Sequence, residues 1–203
     1  QNQSINPTLF EVSTIKRCLL NNQVQVTKEE YKLTKSYRFG IDLANYINRL
    51  TLLINKKIGA SGEPLETSAL NSERTKWGGK SFDKDVTQEV LLNAINNAKA
   101  IIIVPDVSVE KELINLYGEQ IRGRVRTIFD AKGLEWDYVV LYKMISYNQH
   151  MFEEILNNKA YNSTLHRMIF NQFYVGCTRA LVSFTVLEPE LTEQLNKELL
   201  MSL

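Results

Sequence analysis

Several common features of proteins are scarce or missing in this chain, and each absence excludes a class. Only two cysteines, Cys18 and Cys177, occur in the 203 residues, and their separation matches no metal-binding pattern. This usage suits a reducing compartment and disfavours a secreted fold held by disulfides. No apolar run approaches membrane-spanning length, and no signal-peptide pattern is visible. We therefore expect a cytoplasmic protein without a membrane partner.

The chain also lacks a large excess of charge of either sign, and it lacks metal-binding patterns. The formal net charge is +1, so any phosphate contacts must be local rather than the effect of a basic surface overall. His150 and His166 lie far apart, without the cysteine or carboxylate spacing of a metal site. The pattern G-x-x-x-x-G-K-[ST] is missing, so the chain has no phosphate loop. No carboxylate pair at a strand end suggests a magnesium site, and we predict no metal ligands.

The residues that are present describe an ordinary globular protein. Hydrophobic residues make up 44% and charged residues 23% of the chain, which is enough to build one domain with a substantial core. The chain opens at Gln1 without a methionine. We therefore expect it to be a piece of a longer protein.

Hydrophobic periodicity predicts strands and helices in alternation. Strands are expected at 31–34, 101–105, 125–129, 138–142 and 183–187. Helices are expected at 39–53, 83–97, 108–117 (capped by Ser108), about 149–157, 162–176 and 190–203. The polar, glycine-rich residues 56–82 predict an irregular excursion. This order favours an α/β fold with a mostly parallel sheet and helices on both faces.

One segment, residues 126–137, combines features of a ligand site. A β-branched strand end leads into Ala-Lys-Gly, and Glu135 follows two residues after Gly133. Glycine allows backbone to approach a ligand at dihedral angles that other residues resist. Ligands of parallel sheets bind at the carboxyl ends of strands, so we expect the whole stretch from Thr127 to Glu135 to lie at that edge.

Several arginines allow two interpretations. Arg38 precedes a predicted helix, where a cation opposes the helix dipole, so it either binds an external anion or is simply solvated. Arg179 follows a helix, where the dipole favours a cation and a structural role is plausible. Arg122, Arg124 and Arg126 either line a phosphate path beside the 126–137 segment or form a solvated strand edge.

Four segments together resemble the second RecA-like domain of superfamily 1 DNA helicases of the UvrD/Rep/PcrA kind. Residues 33–38 (L-T-K-S-Y-R), with Ala44-Asn45, are similar to the family's fourth motif. Residues 127–136 (T-I-F-D-A-K-G-L-E-W) are similar to the fifth, and residues 173–180 (F-Y-V-G-C-T-R-A) to the sixth. Gln3-Ser4-Ile5 resembles the end of the third. The segments stand in the family's order and span most of the chain.

The resemblance implies roles in ATP binding and hydrolysis. Arg38 and Arg179 would reach the γ-phosphate from across a cleft, and Gln3 would lie beside the γ-phosphate and the attacking water. Tyr37 would stack on the adenine, and Glu135 would accept a hydrogen bond from the ribose. ATP with Mg²⁺ would bind in the complete protein, with an N-terminal RecA-like lobe supplying the phosphate loop.

The same resemblance implies contacts with single-stranded or partly duplex DNA. Thr127 and the position of Phe129 would touch the strand. Lys132 and Gly133 would shape the turn beside the nucleotide, although a purely structural role for the lysine is equally compatible with the sequence. Phe129 replaces the family's usual histidine, which suggests base stacking in place of a polar contact. The short interval between the fourth and fifth motifs suggests a compact helicase without the large helical insertion of Rep-like members.

These observations predict the organisation and function of the chain. Residues 1–30 would connect from the third motif, residues 31–190 would form the second RecA-like domain, and residues 191–203 would form a C-terminal helix. The parent would be an ATP-dependent DNA helicase or translocase, with 3′ to 5′ polarity suggested by the family. The chain alone would lack ATPase activity. The alternative is a non-catalytic module derived from a helicase that binds DNA or protein.

Overall fold

The computed structural model describes residues 41–58, 84–159 and 163–201. The strands are β1 (Ala100–Val104), β2 (Val125–Thr127), β3 (Trp136–Tyr142) and β4 (Ala180–Leu187). The longer helices are α1 (Ile41–Ile58), α2 (Lys84–Asn96), α3 (Val107–Tyr117), α4 (Gln149–Leu156) and α5 (Ser163–Cys177). Short 3-10 helices occupy Glu119–Arg124 and Ser146–Asn148, and the α-helical turn Glu193–Leu195 continues as a π-helix, Asn196–Met201.

All strands of the sheet are parallel, in the order β2-β1-β3-β4. Ile103 of β1 lies beside Arg126 of β2 on one side and Leu141 of β3 on the other. The chain therefore crosses over β1 when it passes from β2 to β3. The sheet type confirms the predicted α/β fold, and the arrangement agrees with the expected RecA-like architecture.

The two faces of the sheet carry separate core layers, because β1 is apolar at every position. Ile101 and Ile103 belong to the layer that contains the buried residues of α1, α4 and α5. Ile102 and Val104 belong to the opposite layer, with α2 and α3. Burying each such side chain contributes about 1.5–3 kcal/mol. Helices on both faces follow directly from this pattern.

The start of α3 corrects one sequence prediction. Asp106, not Ser108, caps the helix: its carboxylate accepts hydrogen bonds from the amides of Ser108 (2.7 Å) and Val109 (3.2 Å). Asp106 has extended dihedral angles, as an N-cap requires, whereas Ser108 already lies within the first turn. Two residues with capping side chains stand close together here, so the sequence alone misplaced the boundary.

Other boundaries differ by a few residues. Strand β2 ends at Thr127, two residues before the predicted end, because the Ala131 amide donates to the Thr127 carbonyl (2.9 Å) and closes a turn. Strands β3 and β4 begin earlier, at Trp136 and Ala180. Helix α1 continues to Ile58, so the start of the predicted irregular segment is helical. The strand expected at 31–34 and residues 59–82 lie outside the described residues.

None of the helices within the described ranges is both long and apolar enough to cross a membrane.

Candidate functional site

The segment that follows β2 begins with a local closure. The Thr127 hydroxyl donates to the Asp130 carboxylate (2.7 Å), and the Asp130 amide approaches the same hydroxyl at 3.3 Å. Thr127 is only 3% exposed. Its side chain therefore stabilises the turn, and its predicted contact with DNA stays a prediction.

Gly133 supplies the backbone conformation on which the next turn depends. Its φ is +88°, in the left-handed region that disfavours residues with a side chain. A Cβ placed there would meet no atom within 4 Å, so the requirement comes from the backbone rather than from crowding. The Leu134 amide then donates to the Ala131 carbonyl (3.1 Å). The glycine is used as the sequence suggested, for its dihedral angles.

The segment from Thr127 to Glu135 crosses the sheet from one edge to the other. Thr127 lies at the carboxyl end of β2, beside Val104 at the end of β1. Glu135 directly precedes Trp136, which begins β3 beside Ala180 at the start of β4. The expectation that the whole segment lies at the carboxyl edge is therefore wrong for its second half. In a parallel sheet, a connection must return to the amino edge before the next strand can start.

Arg179 meets this crossing at the amino edge. Its Nη1 donates to the Leu134 carbonyl (3.3 Å), across 45 positions of sequence. Its Nε donates to the Val175 carbonyl (3.0 Å), and its Nη2 to the Thr178 hydroxyl (3.2 Å). The Trp136 amide in turn donates to the Arg179 carbonyl (3.1 Å). Arg179 is 4% exposed, and oxygen acceptors offset the desolvation of its charge.

The remaining predicted residues lie along the crossing segment or outside the described residues. Lys132 and Glu135 are exposed, and Phe129 presents 45% of its surface. Gln3, Tyr37 and Arg38 lie outside the described residues, so their roles stay predictions. The structure thus brings Glu135 and Arg179 to the amino edge of the sheet, whereas Thr127 lies at the carboxyl edge.

Gly176 is a packing residue whose role the sequence reasoning missed. A Cβ there would lie 2.9 Å from Leu141 Cδ2 and 3.6 Å from Ile128 Cδ1. Glycine therefore lets α5 approach β3 and the crossing segment closely. The neighbouring Cys177 is fully buried, and burial raises the pKa of its thiol well above the usual value. A glycine within the apolar stretch 173–177 at the end of a helix was the available signal.

Glu188 is a second residue that the sequence reasoning missed. It follows β4 at the carboxyl edge and is 1% exposed. Its carboxylate accepts hydrogen bonds from the amides of Ile145 (2.8 Å) and Ser146 (2.9 Å). Burial raises the pKa of Glu188 to about 7, although the amide donors act in the opposite direction. A glutamate directly after a buried strand was the only sequence signal.

A cavity of about 530 Å³ opens at the same edge, between the connections that follow β1 and β3. Its lining includes Ser108, Glu112, Lys143 and Tyr147. Lys143 has a φ of +56° and pairs with Glu112 (2.8 Å). The Tyr147 hydroxyl donates to Asp106, the N-cap of α3. The polar groups of the wall thus bind one another. Across the described ranges, no cluster of three or more histidine, cysteine or acidic side chains could hold a metal ion.

Comparisons with known proteins give likenesses among solved structures. No protein-family model matches the chain, and no curated protein matches it. Among solved structures, the chain is similar to the crystal structure of the C-terminal domain of a possible DNA helicase from Lactobacillus plantarum WCFS1. The identity is 20% and the TM-score 0.39, over 79% of this chain and 92% of that chain.

Proposed function

We propose that this chain is the second motor lobe of an ATP-dependent DNA helicase or translocase of superfamily 1, working in the cytoplasm. The observation that carries the proposal is the hydrogen bond from Arg179 Nη1 to the Leu134 carbonyl (3.3 Å). It joins the segment that resembles the sixth helicase motif to the residue before Glu135, in the segment that resembles the fifth. Two of the side chains assigned to ATP, those of Glu135 and Arg179, thus lie at the amino edge.

The proposed chemistry needs a first lobe that carries the phosphate loop and the magnesium carboxylates. Arg38 and Arg179 would neutralise charge on the transferred γ-phosphate, a role for which arginine contributes about a thousandfold or more in rate. Tyr37 would stack on adenine, Glu135 would accept from the ribose hydroxyl, and Gln3 would orient the attacking water. Lys132 and Gly133 would hold the turn beside the nucleotide.

Arg179 would have to exchange carbonyl partners for phosphate. Hydrogen bonds between neutral groups contribute about 0.5–1.5 kcal/mol each, and those involving charged groups about 1.5–3 kcal/mol. A bidentate contact between arginine and phosphate joins two charged groups, so it can exceed the contact with Leu134 that it replaces. The exchange would occur when the first lobe closes over the amino edge.

The DNA strand would contact the opposite end of the crossing segment. Phe129, 45% exposed, would stack on a base, and the turn held by Thr127 would position it. The nucleotide and the strand would then act on two ends of one segment, which lie at opposite edges of the sheet.

ATPase measurements test the motor role. We expect no steady-state turnover by the chain alone, and turnover stimulated by single-stranded DNA when the chain is joined to the lobe encoded upstream. Arg179→Ala should reduce that turnover by about a thousandfold. Arg167→Ala, at a partly exposed position on α5, the helix that precedes Arg179, is the matched control and should retain the turnover. Turnover by the isolated chain that disappears in Arg179→Ala would contradict the proposal.

The burial of Arg179 favours a second candidate, a non-catalytic module that binds DNA or protein. In such a module Arg179 would serve only to clamp the crossing segment. The sequence encoded upstream separates the two: a motor needs a phosphate loop and an acidic strand end there, and a binding module does not. A parent protein without turnover that still binds DNA would favour the module.

A further inference from the structure

Two arginines beside or within β2, an outer strand of the sheet, are held in place by backbone carbonyls. Arg124 Nη1 donates to the Ala98 carbonyl (2.8 Å). Arg126 Nη1 lies within hydrogen-bonding distance of the carbonyls of Arg122 (3.4 Å) and Val125 (3.1 Å). A guanidinium has five N–H donors, so each side chain keeps several donors for another partner. Both are anchored at one side, which reduces the entropy lost when they bind a ligand.

Within the described ranges, Arg124 and Arg126 differ from the nearby Arg122 in having no acidic partner. Arg122 binds Glu119 through two hydrogen bonds of 2.6 and 2.8 Å. Within the part of the chain that the structure describes, no carboxylate lies within ion-pair distance of Arg124 or Arg126. Their charge is therefore free to act on an external anion.

Arg126 borders the face of the sheet on which the crossing segment lies. Arg126 is paired with Ile103, and paired residues of parallel strands point to the same face. Ile103, Ile128 and Ala131 belong to one core layer. Phe129, 45% exposed, lies in the turn, two residues after the end of β2. An exposed ring thus lies three residues from an arginine without an acidic partner.

We propose that Arg124 and Arg126 bind consecutive phosphates of a single-stranded nucleic acid that runs along β2 and places a base against Phe129. Cations that follow the backbone, combined with an aromatic ring, are the usual equipment for binding single strands without sequence preference. Only Val125, with extended dihedral angles, stands between Arg124 at the end of the 3-10 helix and Arg126 in β2. The two arginines are therefore about 6.6 Å apart along the backbone, a spacing comparable with that of neighbouring phosphates. This surface adds to the contacts of the proposed motor and requires no ATP hydrolysis.

The test is fluorescence anisotropy of a labelled oligodeoxythymidylate, without nucleotide, over a series of NaCl concentrations. Each phosphate contact contributes about 0.7 to the slope of log affinity against log salt for a single strand. The double variant Arg124→Gln with Arg126→Gln should lower that slope by about 1.4. Lys111→Gln removes one exposed charge from α3, on the other face of the sheet. This control should leave the slope nearly unchanged.

Phe129→Ala separates stacking from charge. Loss of one stacked base should weaken binding by about tenfold and leave the salt slope unchanged. The proposal is overturned if the chain binds no DNA or if the double variant keeps the wild-type salt slope. It is also overturned if Lys111→Gln lowers the slope as much as the double variant does. Full affinity in Phe129→Ala would indicate a polyanion without bases and would also overturn it. These outcomes leave the ATPase test of Arg179 unaffected.

Discussion

The carboxyl and amino edges of the sheet are stabilised by groups of opposite charge. At the carboxyl edge, Asp106, Asp130 and Glu188 accept hydrogen bonds from amides and hydroxyls. At the amino edge, Arg179 donates to carbonyls. Glu188 is buried, which raises its pKa to about 7, so protons can neutralise its carboxylate near physiological pH, whereas a guanidinium keeps its charge. The two edges should therefore respond to different conditions: acidity at one, and anions at the other.

The largest expected effect is a pH dependence of stability that arises at the carboxyl edge. The folded pKa of Glu188, about 7, lies above its ordinary value of 4.5, so between these values the folded state binds the proton more tightly than the unfolded state. The free energy of unfolding should therefore fall as pH rises through this window, by up to about 3 kcal/mol. Urea denaturation at several pH values measures this.

Two variants locate the pH effect. Glu188→Gln should flatten the decline in stability between pH 4.5 and 7. Glu190→Gln, at an exposed position two residues later, should leave that decline unchanged. An unchanged slope in Glu188→Gln would show that another group titrates.

A smaller effect is expected where α5 packs against β3. Gly176→Val would place atoms against Leu141, whose Cδ2 lies 2.9 Å from the position of a Cβ. Overpacking of this kind costs about 1–3 kcal/mol, and it should disturb the amino edge because α5 leads directly to Arg179. Chemical denaturation measures the loss. Gly123→Val is the matched control, since a Cβ there meets nothing within 4 Å; equal losses would argue against a packing role for Gly176.

The smallest effect tests the local closure at the carboxyl edge. Thr127→Val keeps the shape of the side chain and removes the hydrogen bond to Asp130, at a cost of about 1 kcal/mol. Thr127→Ser should recover part of the loss. Thermal melts measure these changes in stability. Thr164→Val, at an exposed position on α5, should leave the melting temperature unchanged. A loss at Thr164 equal to that at Thr127 would leave the closure without energetic importance.

The hydrophobic pattern predicted the sheet well because a strand that is buried on both faces is apolar at every position. The run Ile101 to Val104 predicted a strand covered on both faces, and that strand is confirmed at Ala100–Val104, where every residue is buried. Gly133 was also recognised for a conformation that a glycine favours, and its φ of +88° agrees.

Features that depend on distant contacts were not predictable in the same way. The choice of Asp106 over Ser108 as the cap depends on which dihedral angles the chain adopts after β1. The burial of Arg179 depends on the carbonyl of Leu134, which the crossing segment delivers from 45 positions away. Sequence spacing records neither, because both arise only when the layers assemble.

The pairing of β3 with β4 has a consequence for synthesis. Residues 143–179 separate the two strands, so while the ribosome makes them, Val139, Val140 and Leu141 have a partner strand on one side only. Non-local parallel pairing forms late, and an uncovered apolar strand edge invites association with other chains. Nascent chains halted before β4 should therefore be more sensitive to protease and bind chaperones more strongly than chains released after it.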